Sequence, residues 1–254
     1  MLDWIRTRLA QGTRTSRFPR GGAEFPERFR GRPVRDAGGC RDGCRQCSER
    51  APSAFLRGKR DGSVALDLGA CLFSPEEAAA CSNGAIRYSR DYRMATCRRD
   101  ALVTPTGEIE LANALDERAR KLFGRSLRLR SVVAGSCNGC EAELVALGNV
   151  VFDLGRFGVQ FVASPRHADG IVVTGAVSTN MRLALERTYE AVPAPKLVIA
   201  VGACAASGGP FAGSSEIAGG VGDILPVDLW VPGCPPHPLT TLDGLLRLLG
   251  TMDA

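Results

Sequence analysis

The chain has 254 residues, 44% hydrophobic and 23% charged, so it can bury one large core or two small ones and is too apolar for disorder. No run of about 18 apolar residues occurs, which excludes a membrane-spanning helix, and the first 30 residues carry arginines without the apolar stretch of a secretory signal. Residues 1–60 hold 15 Arg and Lys against 6 Asp and Glu, whereas the other 194 hold 17 against 21; with 6% aromatics and no nucleic-acid motif, the basic arm suits an acidic protein or anionic headgroups better than a nucleic acid.

In chain order, Leu2, Ile5 and Leu9 recur at helical spacing beside Trp4, so Met1–Ala10 reads as a short amphipathic helix, for a partner or membrane surface or as a frayed cap on its own domain. From Gln11 to Gly38 the Arg-, Gly-, Pro- and Phe-rich composition predicts an extended arm, so residues 1–38 form one basic segment. Residues 39–100 are a small cysteine-rich unit. In it Asp61-Gly62 precedes the strand Ser63–Leu68, and Ser74-Pro75-Glu76-Glu77 opens a helix by the capping-box pattern. Residues 101–125 read as a linker with one helix, Ile109–Phe123.

From 126 to 254 strand and helix signals alternate. Strands are predicted at Leu127–Val133, Gly158–Ala163, Ile171–Val173, Leu197–Val201 and Leu229–Val231. Helices are predicted at Glu141–Leu147, at Asn180–Ala191 with Met181, Leu185 and Tyr189 on one face, and at Pro238–Leu249. Apolar strands interleaved with helices define an α/β fold with a parallel sheet.

Ten cysteines against two histidines, without a secretory signal, point to thiolate metal ligands rather than disulfides. Cys137 and Cys140 follow the first strand, Cys204 follows Leu197–Val201, and Cys234 follows Leu229–Val231. All four fall just beyond strand C-termini, the edge where open parallel sheets bind ligands. In Cys137-Asn138-Gly139-Cys140 the glycine is expected to supply a positive φ and a close backbone approach. Gly202-Ala203-Cys204-Ala205 keeps small residues beside the third thiol, and Pro232-Gly233-Cys234-Pro235-Pro236 holds the fourth rigidly. Gaps of 2, 63 and 29 residues suit an iron–sulfur cluster better than the two close pairs of structural zinc, which is the alternative. Neither His167 nor His237 pairs by pattern with a cysteine.

Residues 126–250 resemble the small, cluster-bearing subunit shared by respiratory complex I and the membrane-associated energy-converting [NiFe] hydrogenases, formate hydrogenlyase included. The resemblance rests on Gly135–Glu141, Ile171–Gly175, Val198–Ala205 and Val231–Pro236. It implies a flavodoxin-like parallel sheet and one [4Fe–4S] cluster on Cys137, Cys140, Cys204 and Cys234. It also implies an electron-transfer subunit of an oxidoreductase complex, with no complete active site on this chain. The implied partners are a large [NiFe] hydrogenase-like or quinone-reactive subunit, a ferredoxin-like electron donor and, indirectly, membrane subunits. The implied location is cytoplasmic, peripheral to the inner membrane. The C-x2-C pair, the Asn-Gly within it and Glu141 after it resemble the hydrogenase branch; complex I resembles a pair of adjacent cysteines there, and an arginine where this chain has His237. Glu141 and Glu143 are candidates for passing protons or shaping the partner interface, or are simply acidic residues in the first turn of a helix.

Residues 39–100 resemble a two-cluster ferredoxin, a small α+β module in which each half contributes C-x2-C-x2-C-x3-C-P and the fourth cysteine of each half serves the other half's cluster. The first half here reads Cys40-x3-Cys44-x2-Cys47-x3-Ala51-Pro52, and the second Cys71-x2-Ser74-x2-Glu77-x3-Cys81-Ser82. Sorted by cluster, Cys40, Cys44, Cys47 and Cys81 form a complete second [4Fe–4S] set. The other set, Cys71, Ser74, Glu77 and Ala51, keeps one thiol. The resemblance thus implies a one-cluster module derived from a two-cluster one, or a docking scaffold if both sites are dead, with Cys71 and Cys97 as leftover thiols. A zinc-binding or scaffold protein that assembles a complex is the reading from outside redox chemistry.

Overall fold

The computed structural model describes residues 2–36, 38, 46–58, 64–123 and 126–252. Five strands, β1 (Leu127–Val133), β2 (Val159–Phe161), β3 (Gly170–Thr174), β4 (Leu197–Val201) and β5 (Leu229–Val231), form one sheet. All pairings are parallel and the order is β2-β1-β3-β4-β5, the flavodoxin-like order in which successive strands wind outward from the centre. Every residue of β3 and β4 is buried, as their continuous apolar runs require of strands covered on both faces.

The pleat divides these strands between two cores. Ile171, Val173, Val198, Ala200 and Trp230 face one side; Val172, Ile199, Val201, Leu229 and Val231 face the other. The second side is covered by α1 (Gly139–Ala146) and α4 (Pro238–Leu248), which contribute Leu144, Leu239, Leu242 and Leu245. The first is covered by α2 (Thr179–Ala191) through Leu185, by α3 (Ala203–Ser207) through Ala205 and Ala206, and by the N-terminal unit through Phe55, Leu66, Leu68 and Leu102. Each fully buried Leu or Ile in these layers contributes about 1.5–3 kcal/mol of transfer free energy.

The N-terminal unit therefore shares a core with the sheet. Its strands Leu56–Gly58, Val64–Asp67 and Val103–Thr104 pair antiparallel, and Pro33–Arg35 pairs with Ile86–Tyr88. The strand after Asp61-Gly62 forms as predicted, and the turn itself lies outside the described residues. Arg99 clamps the unit to the body: its terminal nitrogens donate to both Asp67 oxygens at 2.8 and 2.9 Å, and its Nε donates to the Ala206 carbonyl at 3.0 Å. Thr96 exchanges both backbone hydrogen bonds with Trp230, at 3.0 and 2.8 Å, closing the open edge of β5.

Two elements differ from expectation. The helix placed at Ile109–Phe123 spans only Glu117–Phe123; upstream, the chain is held extended by Ala112 donating to the Ala95 carbonyl and by Leu115 donating to the Leu248 carbonyl. The arm after Gln11 is extended as expected, but it is docked. Arg156 donates to the Ser16 and Phe18 carbonyls at 2.9 and 3.0 Å, and Phe18 is buried in the core beneath α1 and α4. The N-terminal helix, Asp3–Gln11, forms and buries none of its residues. Among the described residues no helix is long and apolar enough to cross a membrane.

Candidate metal centre

The sheet delivers four cysteines to one rim. After β1 the chain turns through Gly135 and Ser136, and α1 begins at Gly139, so Cys137 precedes the helix and Cys140 sits in its first turn. The left-handed residue is Asn138, at φ 71°, rather than Gly139 as the sequence suggests; asparagine tolerates that region as helix N-cap, and Gly139 is already helical. The turn is tied to the neighbouring strand through Glu141. Ser136 Oγ donates to its Oε2 at 2.7 Å and the Thr174 hydroxyl, at the end of β3, donates to Oε1.

Cys204 lies in the first turn of α3 and Cys234 in the loop between β5 and α4. These two loops are laced together: Gly202 donates to the Val231 carbonyl and Ala203 to the Gly233 carbonyl, both at 2.8 Å. His237 then caps α4, its Nδ1 accepting the Leu239 N–H at 3.1 Å within a ring of Phe25, Phe29 and Phe152. Burial lowers the His237 pKa, which suits a neutral acceptor.

Two glycines measure how closely the backbone approaches these thiols. At Gly202, φ 93°, a Cβ would stand 2.5 Å from Cys140 Sγ; at Gly209, φ 57°, it would stand 2.7 Å from Cys204 Sγ. Neither position admits a side chain, for steric and backbone reasons alike.

Cys137 and Cys234 are exposed; Cys140 and Cys204 are half-buried. Burial, then Glu141, then the other three thiols push Cys140 up to about 12. Burial, then Cys234 and Cys137, push Cys204 up to about 11, against the opposing N–H groups of Ala176 and of Cys204 itself. Cys234 is raised by burial, Cys137 and Glu77. Neighbouring thiols thus add to burial in raising Cys140 and Cys204, and a shared cation would let these two ionise. Among the described residues no three Cys, His, Asp or Glu side chains close around a single ion. The donor set is all sulfur and spread across three loops, a soft set of the kind that selects iron–sulfur clusters or zinc.

In the N-terminal unit Cys47 is buried and Cys81 half-buried, whereas Cys40 and Cys44 lie outside the described residues. The incomplete set is fully described. Cys71 is buried, and its thiol donates to Glu77 at 3.3 Å. Glu77 is fully buried and also accepts the Leu72 N–H at 2.9 Å, the Ser74 N–H at 3.2 Å, the Tyr88 hydroxyl at 2.9 Å and the Ser53 hydroxyl. The sequence marks Glu77 only as a lost ligand and capping residue, and Ser53 and Tyr88 carry no motif. Burial, then Glu77, raises the Cys71 pKa, and burial, then Cys71 and Glu77, raises that of Tyr88, so both keep their protons. Cys97 is half-buried, with its thiol 3.6 Å from the Asn113 carbonyl.

Fold and rim together define an α/β protein of flavodoxin-like topology with a thiol-lined ligand edge. Residues 137–248, a stretch that begins at Cys137 and includes all four rim cysteines, match the family described as NADH ubiquinone oxidoreductase, 20 kDa subunit. The chain belongs to this family, being 44% identical over 129 residues to a protein of Pyrococcus furiosus named a probable membrane-bound hydrogenase subunit, with 51% of this chain and 77% of that one covered. It is also 44% identical over 133 residues to formate hydrogenlyase subunit 7 of Escherichia coli K12, covering 52% of each chain. To a protein of Heliobacterium modesticaldum named as a subunit of NADH-quinone oxidoreductase it is 48% identical over 110 residues, covering 43% of this chain and 63% of the relative. The chain therefore spans about half the length of the Escherichia coli relative and under two thirds of the Heliobacterium one.

Proposed function

We propose that the chain is an electron-transfer subunit that carries a [4Fe–4S] cluster on Cys137, Cys140, Cys204 and Cys234, next to the large catalytic subunit of a membrane-associated [NiFe] hydrogenase or formate-hydrogenlyase-like complex. The observation that carries this reading is the convergence of four thiols on one sheet edge, Cys137 and Cys140 after β1, Cys204 after β4 and Cys234 after β5. The donor set fits the cluster: four sulfurs, a glycine at each close approach, and backbone N–H groups of Ala176 and Cys204 directed at a thiol. A bound cluster would supply one-electron transfer. The protein's own part is to hold the thiols at fixed positions, through the lacing of the β4 and β5 loops and the Glu141 tie between α1 and β3.

The C-x2-C pair and the relatives named as formate hydrogenlyase and membrane-bound hydrogenase subunits favour the hydrogenase branch. A complex I-like subunit passing electrons to quinone is the second reading, favoured by the 48% identity to an NADH-quinone oxidoreductase component. In both, residues 39–100 are a ferredoxin-like module with a second cluster on Cys40, Cys44, Cys47 and Cys81, or a docking scaffold. Iron and acid-labile sulfide, measured on anaerobically purified chain together with an EPR spectrum of the reduced protein, test the proposal. About four irons with one signal support the rim cluster alone, and about eight with two interacting signals support both sets. Zinc in place of iron, or an unchanged signal in Cys204→Ala, would overturn the reading.

A further inference from the structure

Glu77 occupies a position where the ferredoxin-like spacing calls for a cluster ligand, and it gathers five donors: two loop amides, two hydroxyls and one thiol. The two amides can only donate, and the two hydroxyls and the thiol can each donate, so all five contacts suit a carboxylate acceptor. The two amides belong to Leu72 and Ser74, on either side of Phe73, and Phe73 lines one cleft together with Cys234 and Pro235 of the rim. The carboxylate thus pins the loop that faces the fourth rim cysteine.

Asp67, the other fully buried carboxylate of this unit, is neutralised by Arg99 and Arg57. Among the described residues no basic side chain forms an ion pair with Glu77. Neutral donors stabilise a charge without cancelling it, and in a buried setting its field falls off slowly.

We propose that Glu77 is a fixed negative charge standing in a lost cluster site, and that it lowers the reduction potential of the neighbouring cluster on Cys137, Cys140, Cys204 and Cys234. The inference rests on the cluster reading above. Reduction would add one electron to the cluster, supplied in the test by dithionite. A nearby negative charge opposes that electron and holds the oxidised form. Glu77 is in this sense a positioning and tuning residue, acting through the Phe73 loop and through space.

The test is an EPR-monitored redox titration of the full chain at constant pH, with the rim signal assigned by its loss in Cys204→Ala. Glu77→Gln is expected to move the rim midpoint in the positive direction with iron content unchanged, while Glu76→Gln, on the exposed face of the same short helix, leaves it in place. A Glu77→Gln midpoint equal to wild type at full iron content would overturn the inference and leave the cluster reading intact. A wild-type chain without iron and sulfide would overturn both. Should Glu77→Gln lose iron, Tyr88→Phe is read instead, because it keeps the carboxylate and removes one donor. A midpoint shifted negative supports the inference, and one unchanged or shifted positive overturns it.

Discussion

At the sheet rim four thiols crowd together and receive few donors; at Glu77 a single carboxylate collects five. Both sites sit on loops that sequence spacing marks for metal, and Phe73, in the loop held by Glu77, lines one cleft with Cys234 of the rim. At the rim, burial and neighbouring thiols keep Cys140 and Cys204 protonated, and a bound cation would let them ionise. The Glu77 site satisfies its charge internally with amides, hydroxyls and a thiol, the signature of a place that has closed. Ligand spacing alone does not separate these states; the balance of donors against acceptors does.

The sharpest way to break this comparison is Cys204→Ala, which should remove about four irons per chain, while Cys71→Ala leaves the iron content unchanged; metal analysis of both variants decides it. A step smaller, Gly202→Ala places a Cβ where Cys140 Sγ stands and at a φ of 93°, so iron content should fall while the purified fold keeps its circular dichroism. On the other side of the comparison, Arg99→Ala strips Asp67 of its bidentate partner and detaches Ala206 of α3. It should cost about 2 kcal/mol, read as a lower urea midpoint, because Asp67 keeps Arg57 and the Gly69 N–H. The smallest effect expected is at His237. Its folded pKa lies below the ordinary 6.5, so the unfolded chain takes up the proton first, and stability present above pH 6.5 is lost as pH falls through the folded value. Protonation also turns the Nδ1 cap acceptor into a donor. His237→Asn keeps a capping side chain and should flatten the fall in urea midpoint as pH drops below 6.5.

The body is legible because its signals are local. Leu197–Val201 and Leu229–Val231 appear at the residues where their continuous apolar runs place them, and Asn180–Ala191 differs from the observed helix by one residue. The Ile109–Phe123 helix is misplaced because the residues before Glu117 are committed to long-range backbone bonds with Ala95 and Leu248, which no local periodicity records. The amphipathic pattern at Met1–Ala10 marks a helix that forms over Asp3–Gln11, with Trp4 and Leu9 exposed.

By itself the sequence determined the strand and helix alternation of the body and the placement of four cysteines after strand ends. Each follows from residue type and spacing along the chain. Tertiary structure alone decided that Asn138 rather than Gly139 carries the left-handed turn, that Gly202 and Gly209 stand against thiols, and that residues 46–104 complete the core on one face of the sheet. It also decided that Glu77 gathers Ser53 and Tyr88 from 24 and 11 residues away and holds the Phe73 loop, which shares a cleft with Cys234. The balance of a buried charge is summed over neighbours in space, and a linear pattern does not carry that sum.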